Sequence, residues 1–402
     1  MMADFKLELI TNSEQVKEFL QLPVALYKND SNWIQPLDNE IEAVFDPKKN
    51  KLMRKGEVAR WLLRNTKKEV VGRVAAFINP ENASLNEQPT GGMGFFECIN
   101  DRDAAFMLFD NCRDWLKERG MEAMDGPINF GDRDRWWGCL VDGFVPANYG
   151  MPYNFPYYQE LFEAYGFKNY FNQYTYAKNI TLDSMHPGLQ EKAVRIAKNP
   201  EYHFGHIKKS QLKKVAEDFR TIYNKAWAKH GGVSEMSAAH ATALMNQLKP
   251  IIDPKLIYFA FHNNEPIGFY VMIPEINAVI KHLHGKMNLW AKVKFFYLLK
   301  IRRTCKTALG QIFGVIPEYQ GKGVEGGIIM AFADVALQKG FQYNFLEMNW
   351  IGDFNPVMMR LQEQIGAKIR KTHVTYRYLF DPTKEFTRAK AIGRAKRATK
   401  EE

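Results

Sequence analysis

The fold of this 402-residue chain is decided by the stretch Val315-Ile316-Pro317-Glu318-Tyr319-Gln320-Gly321-Lys322-Gly323-Val324-Glu325-Gly326-Gly327. It follows an apolar strand predicted over 308–315 and precedes an apolar helix predicted over 324–339. A glycine-rich turn from a strand into a helix leaves backbone N–H groups unpaired, and the helix dipole adds partial positive charge there. The stretch is therefore typical of a phosphate or pyrophosphate site, where Gly321 and Gly323 let the backbone approach the ligand closely.

The glycine spacing separates this stretch from other phosphate-binding motifs. A P-loop is excluded, because the chain has no Gly-x4-Gly-Lys-Ser/Thr sequence. A dinucleotide fingerprint at Gly321, Gly323 and Gly326 is weakened, because no acidic residue ends the next strand at the usual place. Glu347 comes close, about 20 residues further on, so that interpretation stays open. A glycine-rich turn without any ligand is the third interpretation.

The rest of this half alternates short strands with helices. Asn355 is a favourable N-cap, Pro356 suits the first position of a helix, and Gly366 suits its C-terminal cap. The turn Asn263-Asn264-Glu265 predicts a hairpin between two strands. The other predicted elements are strands over 203–207, 256–262, 266–273, 343–350 and 374–380 and a helix over 212–230.

The glycine stretch resembles the acyl-CoA pyrophosphate turn of the GNAT-type N-acyltransferases, whose pattern is Gln/Arg-x-x-Gly-x-Gly/Ala. The chain matches from Gln320 to Val324 and departs at the sixth position, which is Glu325. The resemblance implies that acetyl-CoA or another acyl-CoA is the cofactor. The cofactor-binding residues that it implies are Phe313, Gly314, Val315, Gln320, Gly321, Lys322, Gly323, Val324 and Asn355.

The helix after Asn355 is similar to a second GNAT segment, Asn-x-x-Ala-x-x-Leu-Tyr-x-x-x-Gly-Phe. The chain matches at Asn355, Leu361 and Gly366. Gln362 stands where many family members have the Tyr that protonates the departing thiolate. The order of predicted elements from 200 to 380 is also the GNAT order, so the resemblance covers this whole half.

The N-terminal half is predicted to be a second, degenerate copy. Its helix over 103–119 is preceded by Asn100-Asp101-Arg102-Asp103, which has no glycine turn and would repel a pyrophosphate. The predicted fold class is therefore α/β (α+β), with two tandem GNAT-like domains, each a mixed, mostly antiparallel sheet flanked by helices. The predicted divisions are a degenerate domain over 1–180, an acyl-CoA-binding domain over 200–381 and a basic tail over 382–402. The elements of the first half are strands over 5–10, 58–64, 70–78, 94–99 and 121–126 and helices over 13–27 and 103–119.

A loop over 125–176 is dense in Gly, Pro, Asn, aromatic and charged residues, a composition that suits a binding cleft better than a flexible linker. An ordered loop packed on the core is the alternative. The strings at 126–130 and 152–158, with Glu347-x-x-Trp350-Ile351, resemble a bacterial family of paired-domain GNAT-like proteins. The candidate substrate-cleft residues are Asn129, Asp132, Asp134, Trp136, Trp137, Tyr153, Asn154, Tyr157, Tyr158 and Trp350.

The net charge of +10 is concentrated in two segments. Residues 281–306 carry eight Lys or Arg and no acid, interleaved with aromatic and aliphatic residues. The tail over 382–402 adds +4, and we expect it to be a solvated helix or a disordered arm. For 281–306 four interpretations stay open: contact with an anionic membrane, a cover over a lipid-binding groove, contact with the CoA phosphates, or a packed insertion with solvated Lys tips.

Other chemistry is weaker in this sequence. Four widely spaced cysteines and a non-signal N-terminus predict a reduced, cytoplasmic protein. His282-x-His284 has no third ligand nearby, so no metal site is expected, and nothing indicates specific nucleic-acid binding. Glu347 is the candidate base by its place on a strand, with a structural ion pair as the alternative.

Two functions therefore follow from the sequence. The first is direct acyl transfer from an acyl-CoA, with acetyl-CoA as the expected donor, to a small-molecule or lipid-like amine of unknown identity in a ternary complex. The second is a non-catalytic protein of the same fold that binds acyl-CoA or a lipid surface. The oligomeric state has no signal in the sequence.

Overall fold

The computed structural model describes residues 5–83, 88–131, 133, 135–181, 185–227 and 235–391, and these contain one thirteen-stranded sheet. None of the helices in this described part is long and apolar enough to cross a bilayer. The strands are β1 (Lys6–Leu9), β2 (Glu57–Arg64), β3 (Val70–Ile78), β4 (Thr90–Cys98), β5 (Ala123–Gly126), β6 (Cys139–Asp142), β7 (Lys168–Asn179), β8 (Tyr202–His206), β9 (Ile257–His262), β10 (Glu265–Pro274), β11 (Thr307–Val315), β12 (Phe345–Gly352) and β13 (Lys368–Leu379). The helices are α1 (Ser13–Leu26), α2 (Asp38–Val44), α3 (Pro80–Ala83), α4 (Arg102–Lys117), α5 (Tyr157–Tyr165), α6 (Pro187–Ala197), α7 (Leu212–Trp227), α8 (Ala238–Leu248), α9 (Asn277–Ile280), α10 (Leu289–Phe296), α11 (Val324–Ala336) and α12 (Pro356–Gln364).

Side-chain caps explain where several helices begin. Asn12 accepts hydrogen bonds from the first turn of α1, and the Asp101 carboxylate accepts one from the Ala104 N–H of α4. Asn355 accepts one from the Met358 N–H of α12. Each cap satisfies an N–H group that has no partner inside its own helix. The helix expected after Asn355 is therefore present, for the reason that its sequence suggested.

The two halves repeat one strand order. Strands β1 to β4 form antiparallel pairs and β4 then pairs in parallel with β5, while β8 to β11 are antiparallel and β11 pairs in parallel with β12. The predicted fold class is confirmed: each of the two tandem halves has mixed, mostly antiparallel strands flanked by helices, and the strands of both halves join in the one sheet.

The two halves exchange strands at the centre of the sheet. β7, from the first half, pairs with β12 of the second, whereas β13, the last strand of the chain, pairs with β5 of the first. β7 and β13 also pair with each other. Tyr176 of β7 accordingly packs in the core of the second half, and Val374 and Tyr376 of β13 pack in the core of the first. Each half is thus completed by a strand of the other, and the boundaries predicted near 180 and 200 stay a prediction.

The segment 125–176 differs from the loop that the sequence predicts. It contains β6, α5 and most of β7, joined by the loop over 143–156. Gly166 caps α5 at a φ of +110°, a conformation that favours glycine. The sequence pattern does not predict strand β7, because polar residues lie on a buried face of this strand.

In the first half, the chain itself fills the space beside the parallel strands β4 and β5. Beyond the pairing of Gly92 with Asp125, the Ile128 N–H donates to the Met93 carbonyl at 2.8 Å. A Cβ on Gly94 would overlap the Ile128 carbonyl oxygen, so this backbone lies directly against β4. The space that separates two diverging parallel strands is therefore occupied in the first half.

The start of the basic tail, residues 382–391, is mostly exposed and is not helical, but it makes several contacts with the sheet. Lys384 forms an ion pair with Glu122, and Arg388 contacts Asp353 at 2.6 Å. The Ala389 N–H also donates to a backbone carbonyl of β7 at 3.0 Å. Residues 382–391 therefore cover part of β7, and the expectation for 392–402 lies outside the described residues.

We expect two truncations to separate these parts of the tail. Deleting 383–402 removes the backbone hydrogen bond of Ala389, which should lower the free energy of unfolding by about 1 kcal/mol, while the exposed ion pairs add little. Deleting 392–402 should leave it unchanged, because that sequence has little apolar surface to bury. Urea unfolding of both variants measures the difference. Equal stability of the two truncated proteins would contradict a packed tail.

Candidate functional site

The site begins where β11 and β12 diverge. The two parallel strands pair from Thr307 with Phe345 to Gly310 with Met348, and the described ladder holds no further pair between them. β11 continues to Val315 along β10 only, and its register against β10 shifts at Gln311, which makes a β-bulge. Bulges are common beside active sites because they redirect the backbone. The divergence leaves an opening between two strands in which an extended ligand can lie.

Two buried polar side-chain atoms belong to residues beside this opening. The Tyr270 hydroxyl and the Gln311 amide nitrogen are buried, and neither has a hydrogen-bond partner among the described residues. A Cβ on Gly310 would lie 2.7 Å from the Tyr270 hydroxyl, so this hydroxyl reaches the point where the strands part. Burial raises the pKa of Tyr270 and keeps the hydroxyl protonated. Buried polar groups without partners are rare in proteins, so a ligand or a water at this place would satisfy them.

The glycine turn follows directly from β11. Gly321 and Gly323 have φ angles of +73° and +102°, which favour glycine. The Gln320 side chain donates to the Val315 carbonyl at 2.9 Å and so holds the turn against the strand. The Gly321 N–H donates to the Glu325 carboxylate at 3.0 Å. A carboxylate of this chain therefore occupies one of the N–H groups that a pyrophosphate would use.

The other predicted cofactor residues lie on β11, in the glycine turn, at the start of α11 and at the start of α12. Phe313 packs edge-on against Tyr270, Gly314 is buried, and Val324 is fully buried at the start of α11. The Lys322 ammonium lies 5.4 Å from the Tyr319 ring centre. Asn355 serves as the cap of α12, described above, and Gln362 is buried on that helix.

Glu347, the candidate base, lies on β12 beside the divergence. Its carboxylate contacts the Arg370 guanidinium at 2.9 Å and the Lys371 ammonium at 3.1 Å. The side-chain amide of Asn148 donates to it at 2.6 Å and to Glu275 at 3.0 Å, while Lys371 donates to the Asn148 oxygen at 2.7 Å. Burial lowers the pKa of Lys371, and the carboxylate of Glu347 opposes that shift. The structural ion pair offered as the alternative for Glu347 is therefore present.

Glu275 is the second carboxylate of this cluster. It accepts hydrogen bonds from the backbone N–H groups of Tyr149 and Asn277 at 3.0 Å, besides the one from Asn148. Burial nevertheless raises the pKa of Glu275 to about 7, because its charge is withdrawn from water.

The raised pKa of Glu275 predicts a pH-dependent stability. Its folded-state pKa exceeds the ordinary value of about 4.5, so the folded protein binds more protons between these values. The resulting stabilisation is complete below about pH 4.5 and is lost as the pH rises through about 7, a total of about 3 kcal/mol. Urea unfolding between pH 5 and 8 should show this slope in the native protein and not in Glu275→Gln. The same slope in both proteins would contradict the assignment.

A cavity of about 110 Å³ lies between the first half and the segment around α9. Ala147, Tyr149, Gly150 and Asn277 form part of its wall. Tyr149 and Asn277 both donate backbone hydrogen bonds to Glu275, so the cavity borders the Asn148, Glu275 and Glu347 cluster. Six of its apolar lining residues are Trp33, Ile34, Leu37, Ile41, Phe95 and Met151.

Four of the predicted cleft residues line this cavity: Trp136, Tyr153, Asn154 and Tyr158. Tyr158 donates to Glu97 at 2.8 Å, and the Asn154 amide bonds to the backbone of β6, so both stabilise the fold. Trp136 and Tyr153 present rings to the cavity, and the Tyr153 hydroxyl donates to Asp30 at 2.7 Å.

The remaining predicted cleft residues lie elsewhere. Asn129 is buried and donates to the Arg135 carbonyl, and Trp137 is buried in a small core. Tyr157 donates to the Cys98 carbonyl at 2.7 Å, and Trp350 donates to the Arg133 carbonyl at 2.6 Å. None of these four lines the cavity. Asp132 and Asp134 are outside the described residues.

Sequence reasoning missed Tyr270, Asn148, Glu275 and Lys371. Asn148 and Glu275 are 127 residues apart, and no local spacing connects them. Glu275 carried one available signal, since it is a charged residue directly after an apolar strand segment. A charge in such a place needs a buried partner.

The length of β11 argues against one interpretation of the basic segment, which is contact with the CoA phosphates. Residues 281–306 precede Thr307, whereas the glycine turn follows Val315, so they lie at opposite ends of the nine-residue strand β11. That length is about 26 Å, which separates these cations from the N–H groups expected to bind the CoA pyrophosphate. In the described part of the chain, no three His, Cys, Asp or Glu side chains are placed to hold a metal.

Comparison with known proteins identifies two relatives of similar length. No protein-family model matches the chain. It is 28% identical over 384 residues to a protein named bacterial ceramide synthase from Caulobacter vibrioides (strain NA1000 / CB15N). The matched region covers 93% of this chain and 97% of that protein. It is 27% identical over 372 residues to Protein YghO of Escherichia coli (strain K12), which covers 91% of this chain and 93% of that protein.

Solved structures show the fold. A tandem GNAT protein from the clavulanic acid biosynthesis pathway matches with a TM-score of 0.52 and 11% identity, over 95% of this chain and 100% of that one. The GCN5-related glucosamine N-acetyltransferase region of a fungal multi-domain beta-N-acetylglucosaminidase matches with a TM-score of 0.52 and 13% identity. That match spans 94% of this chain and 38% of the fungal chain. The chain has the paired GNAT fold that its sequence resembles.

Proposed function

From this paired GNAT fold we propose that the protein is a cytoplasmic, acyl-CoA-dependent N-acyltransferase whose acceptor is a long-chain, lipid-like amine. The observation that carries the proposal is the opening between β11 and β12, which ends at the glycine turn on one side and meets the Glu347 cluster on the other. Acyl-CoA would lie along β11 with its pyrophosphate at the turn.

The cavity of the first half supports an amphiphilic acceptor. Its wall combines aromatic and aliphatic side chains with the carboxylates of Asp38 and Glu40. Apolar walls suit an alkyl chain, and carboxylates suit an ammonium group. The relative from Caulobacter is named a ceramide synthase, and ceramide is an N-acylated long-chain base. That name favours a fatty acyl-CoA over acetyl-CoA as the donor.

The reaction then needs few groups from the protein. The amine nitrogen attacks the thioester carbon, a C–N bond forms, the C–S bond breaks, and the amine proton passes to a base. Glu347 is the candidate base by position, and Glu275 is the second candidate because its pKa of about 7 suits a base at neutral pH. The Tyr270 hydroxyl, which burial keeps protonated, would donate a hydrogen bond to the departing CoA thiolate, and the thiolate then takes up the proton that the base received from the amine.

The direct test is product formation from a fatty acyl-CoA and a long-chain amino alcohol. We expect an N-acyl product and free CoA, and a rise in melting temperature with acyl-CoA. Gly323→Val should abolish that rise, because its Cβ would lie 3.0 Å from the Lys192 carbonyl oxygen at a φ of +102°. The matched control is Gly340→Val, since Gly340 also has a positive φ, of +88°, but no atom within 4 Å of its Cβ. An unchanged acyl-CoA shift in folded Gly323→Val would contradict the assignment.

A non-catalytic acyl-CoA or lipid-surface binding protein is the second candidate. The contact of Glu325 with the Gly321 N–H and the Gln at 362 favour it. The two functions differ in one result: the binding protein shows a melting shift with acyl-CoA but forms no product with any amine. In both proposals, residues 281–306 form the contact with an anionic membrane.

A further inference from the structure

An apolar stripe covers the outer face of α10 and of the turn after it. Leu289 is 75% exposed and Trp290 is 80% exposed. Of the eleven exposed large hydrophobic side chains in the described part of the chain, six lie in this single segment. Such a cluster marks an interaction surface, because scattered exposed hydrophobic residues are ordinary and clusters are not. The six residues, here called the docking stripe, are Leu289, Trp290, Val293, Phe296, Tyr297 and Ile301.

The opposite face of the same segment is anchored in the protein. Ala291 and Leu299 are buried in the core of the second half, and Phe295 and Leu298 pack against that core. A surface helix usually places apolar residues inward and polar residues outward. This segment has apolar residues on both faces, so the outward stripe is not needed for folding and is available to another surface.

The charge around the docking stripe indicates which kind of surface the stripe binds. Lys286, Lys292, Lys294, Arg302 and Arg303 are exposed on its flanks. The sequence has no acidic residue from 276 to 317. Aromatic and aliphatic side chains at the headgroup level with surrounding cations are the features of a helix that lies on an anionic bilayer.

The docking stripe is also joined to the cavity. The Asp38 N–H donates to the Gly285 carbonyl at 2.8 Å, and a Cβ on Gly285 would lie 2.7 Å from the Asp38 carboxylate. Asp38 and Ile280 both line the cavity. The chain that leads into α10 is therefore fixed to the cavity wall, so a surface that binds the stripe lies close to the cavity.

We infer that the docking stripe inserts into the headgroup region of a membrane that contains anionic lipid, and that the cavity takes its lipid amine from that membrane. The docking stands on the exposed stripe and its cations alone. The delivery of the acceptor rests on the proposed function, and the two parts are tested by different measurements.

The test of docking uses the full chain and vesicles of phosphatidylcholine with or without phosphatidylglycerol. We expect sedimentation with the anionic vesicles, weakened at about 1 M salt, where the Debye length falls from about 10 Å to about 3 Å. Leu289→Asp/Trp290→Asp should weaken the binding at least about tenfold, because two charges then replace the most exposed apolar groups. The control Leu9→Asp/Val194→Asp changes two exposed apolar residues outside the segment, at 50% and 48% exposure, and should bind like the native protein.

Two results would overturn the docking. One is equal vesicle binding by the stripe variant and the control. The other is a dimer in analytical ultracentrifugation that the stripe variant loses, without vesicle binding by the native protein, since the stripe would then face a second copy. Delivery is tested with the same variant: it should acylate an amine dispersed in detergent as fast as the native protein and a vesicle-embedded amine more slowly. Equal rates on vesicles would overturn delivery, whereas no product with either substrate in the native protein would refute the proposed function instead.

Discussion

Replacing Lys371 by methionine is expected to lower the free energy of unfolding by about 3 to 5 kcal/mol. The ammonium is buried between the Asn148 oxygen at 2.7 Å and the Glu347 carboxylate at 3.1 Å. Methionine fills a similar volume without a charge, so the Glu347 carboxylate keeps only the partly exposed Arg370 as its cation. Urea unfolding at pH 7 measures the loss.

A double variant shows whether the loss comes from an unpaired charge. Glu347→Gln/Lys371→Met removes both charges, and we expect it to recover at least half of the loss, because an uncharged pair has no buried carboxylate to desolvate. A double variant as unstable as Lys371→Met would mean that packing, and not charge, holds this part of the sheet. A loss below about 1 kcal/mol in the single variant would place the pair among ordinary surface salt bridges.

The Lys371 cluster is expected to contribute this much to the free energy of unfolding because it connects the two halves. Asn148 comes from the loop before α5, Glu275 follows β10, and Lys371 lies on β13, which completes the sheet of the first half. Strand exchange makes each sheet depend on the other half of the chain. The carboxylates therefore sit at the junction of the halves, where both the strand divergence and the cavity meet them.

The elements that sequence patterns predict well are those with one apolar face. The strand predicted over 70–78 is β3 at the same residues, and the helix after Asn355 begins where its cap indicates. The glycine turn is predictable because positive φ angles, as at Gly321 and Gly323, restrict the residue type to glycine. Local chemistry suffices in all these cases.

The exchange of β7 and β13 was not predictable in the same way. Gln173 and Thr175 on β7, and Lys371, His373 and Thr375 on β13, are almost completely buried, although their polarity is typical of an exposed face. Their partners come from distant parts of the chain, such as Asn148 for Lys371. Polar residues that are buried in pairs give no periodic apolar signal, so the centre of the sheet and its carboxylates appear only in the folded chain.

The last prediction concerns the glycine turn. There the Glu325 carboxylate accepts the hydrogen bond of the Gly321 N–H, which a pyrophosphate would otherwise use. Two like charges about 4 Å apart cost roughly 1 to 4 kcal/mol near a protein surface. We therefore expect Glu325→Gln to bind acyl-CoA at least about tenfold more tightly, since about 1.4 kcal/mol is a factor of ten. Glutamine keeps the shape and one acceptor oxygen, so the turn keeps its conformation. Isothermal titration with the same acyl-CoA measures both proteins.

The matched control is Glu318→Gln, which removes one negative charge from the neighbouring turn. It should tighten binding by less than about threefold, because an exposed charge farther from the ligand is screened by solvent and salt. Equal gains in the two variants would show a general effect of net charge. Weaker binding of acyl-CoA by Glu325→Gln would mean that this carboxylate helps to hold the turn in its binding conformation. Glu325 would then belong to a working site in which its hydrogen bond to Gly321 orders the backbone before the ligand arrives.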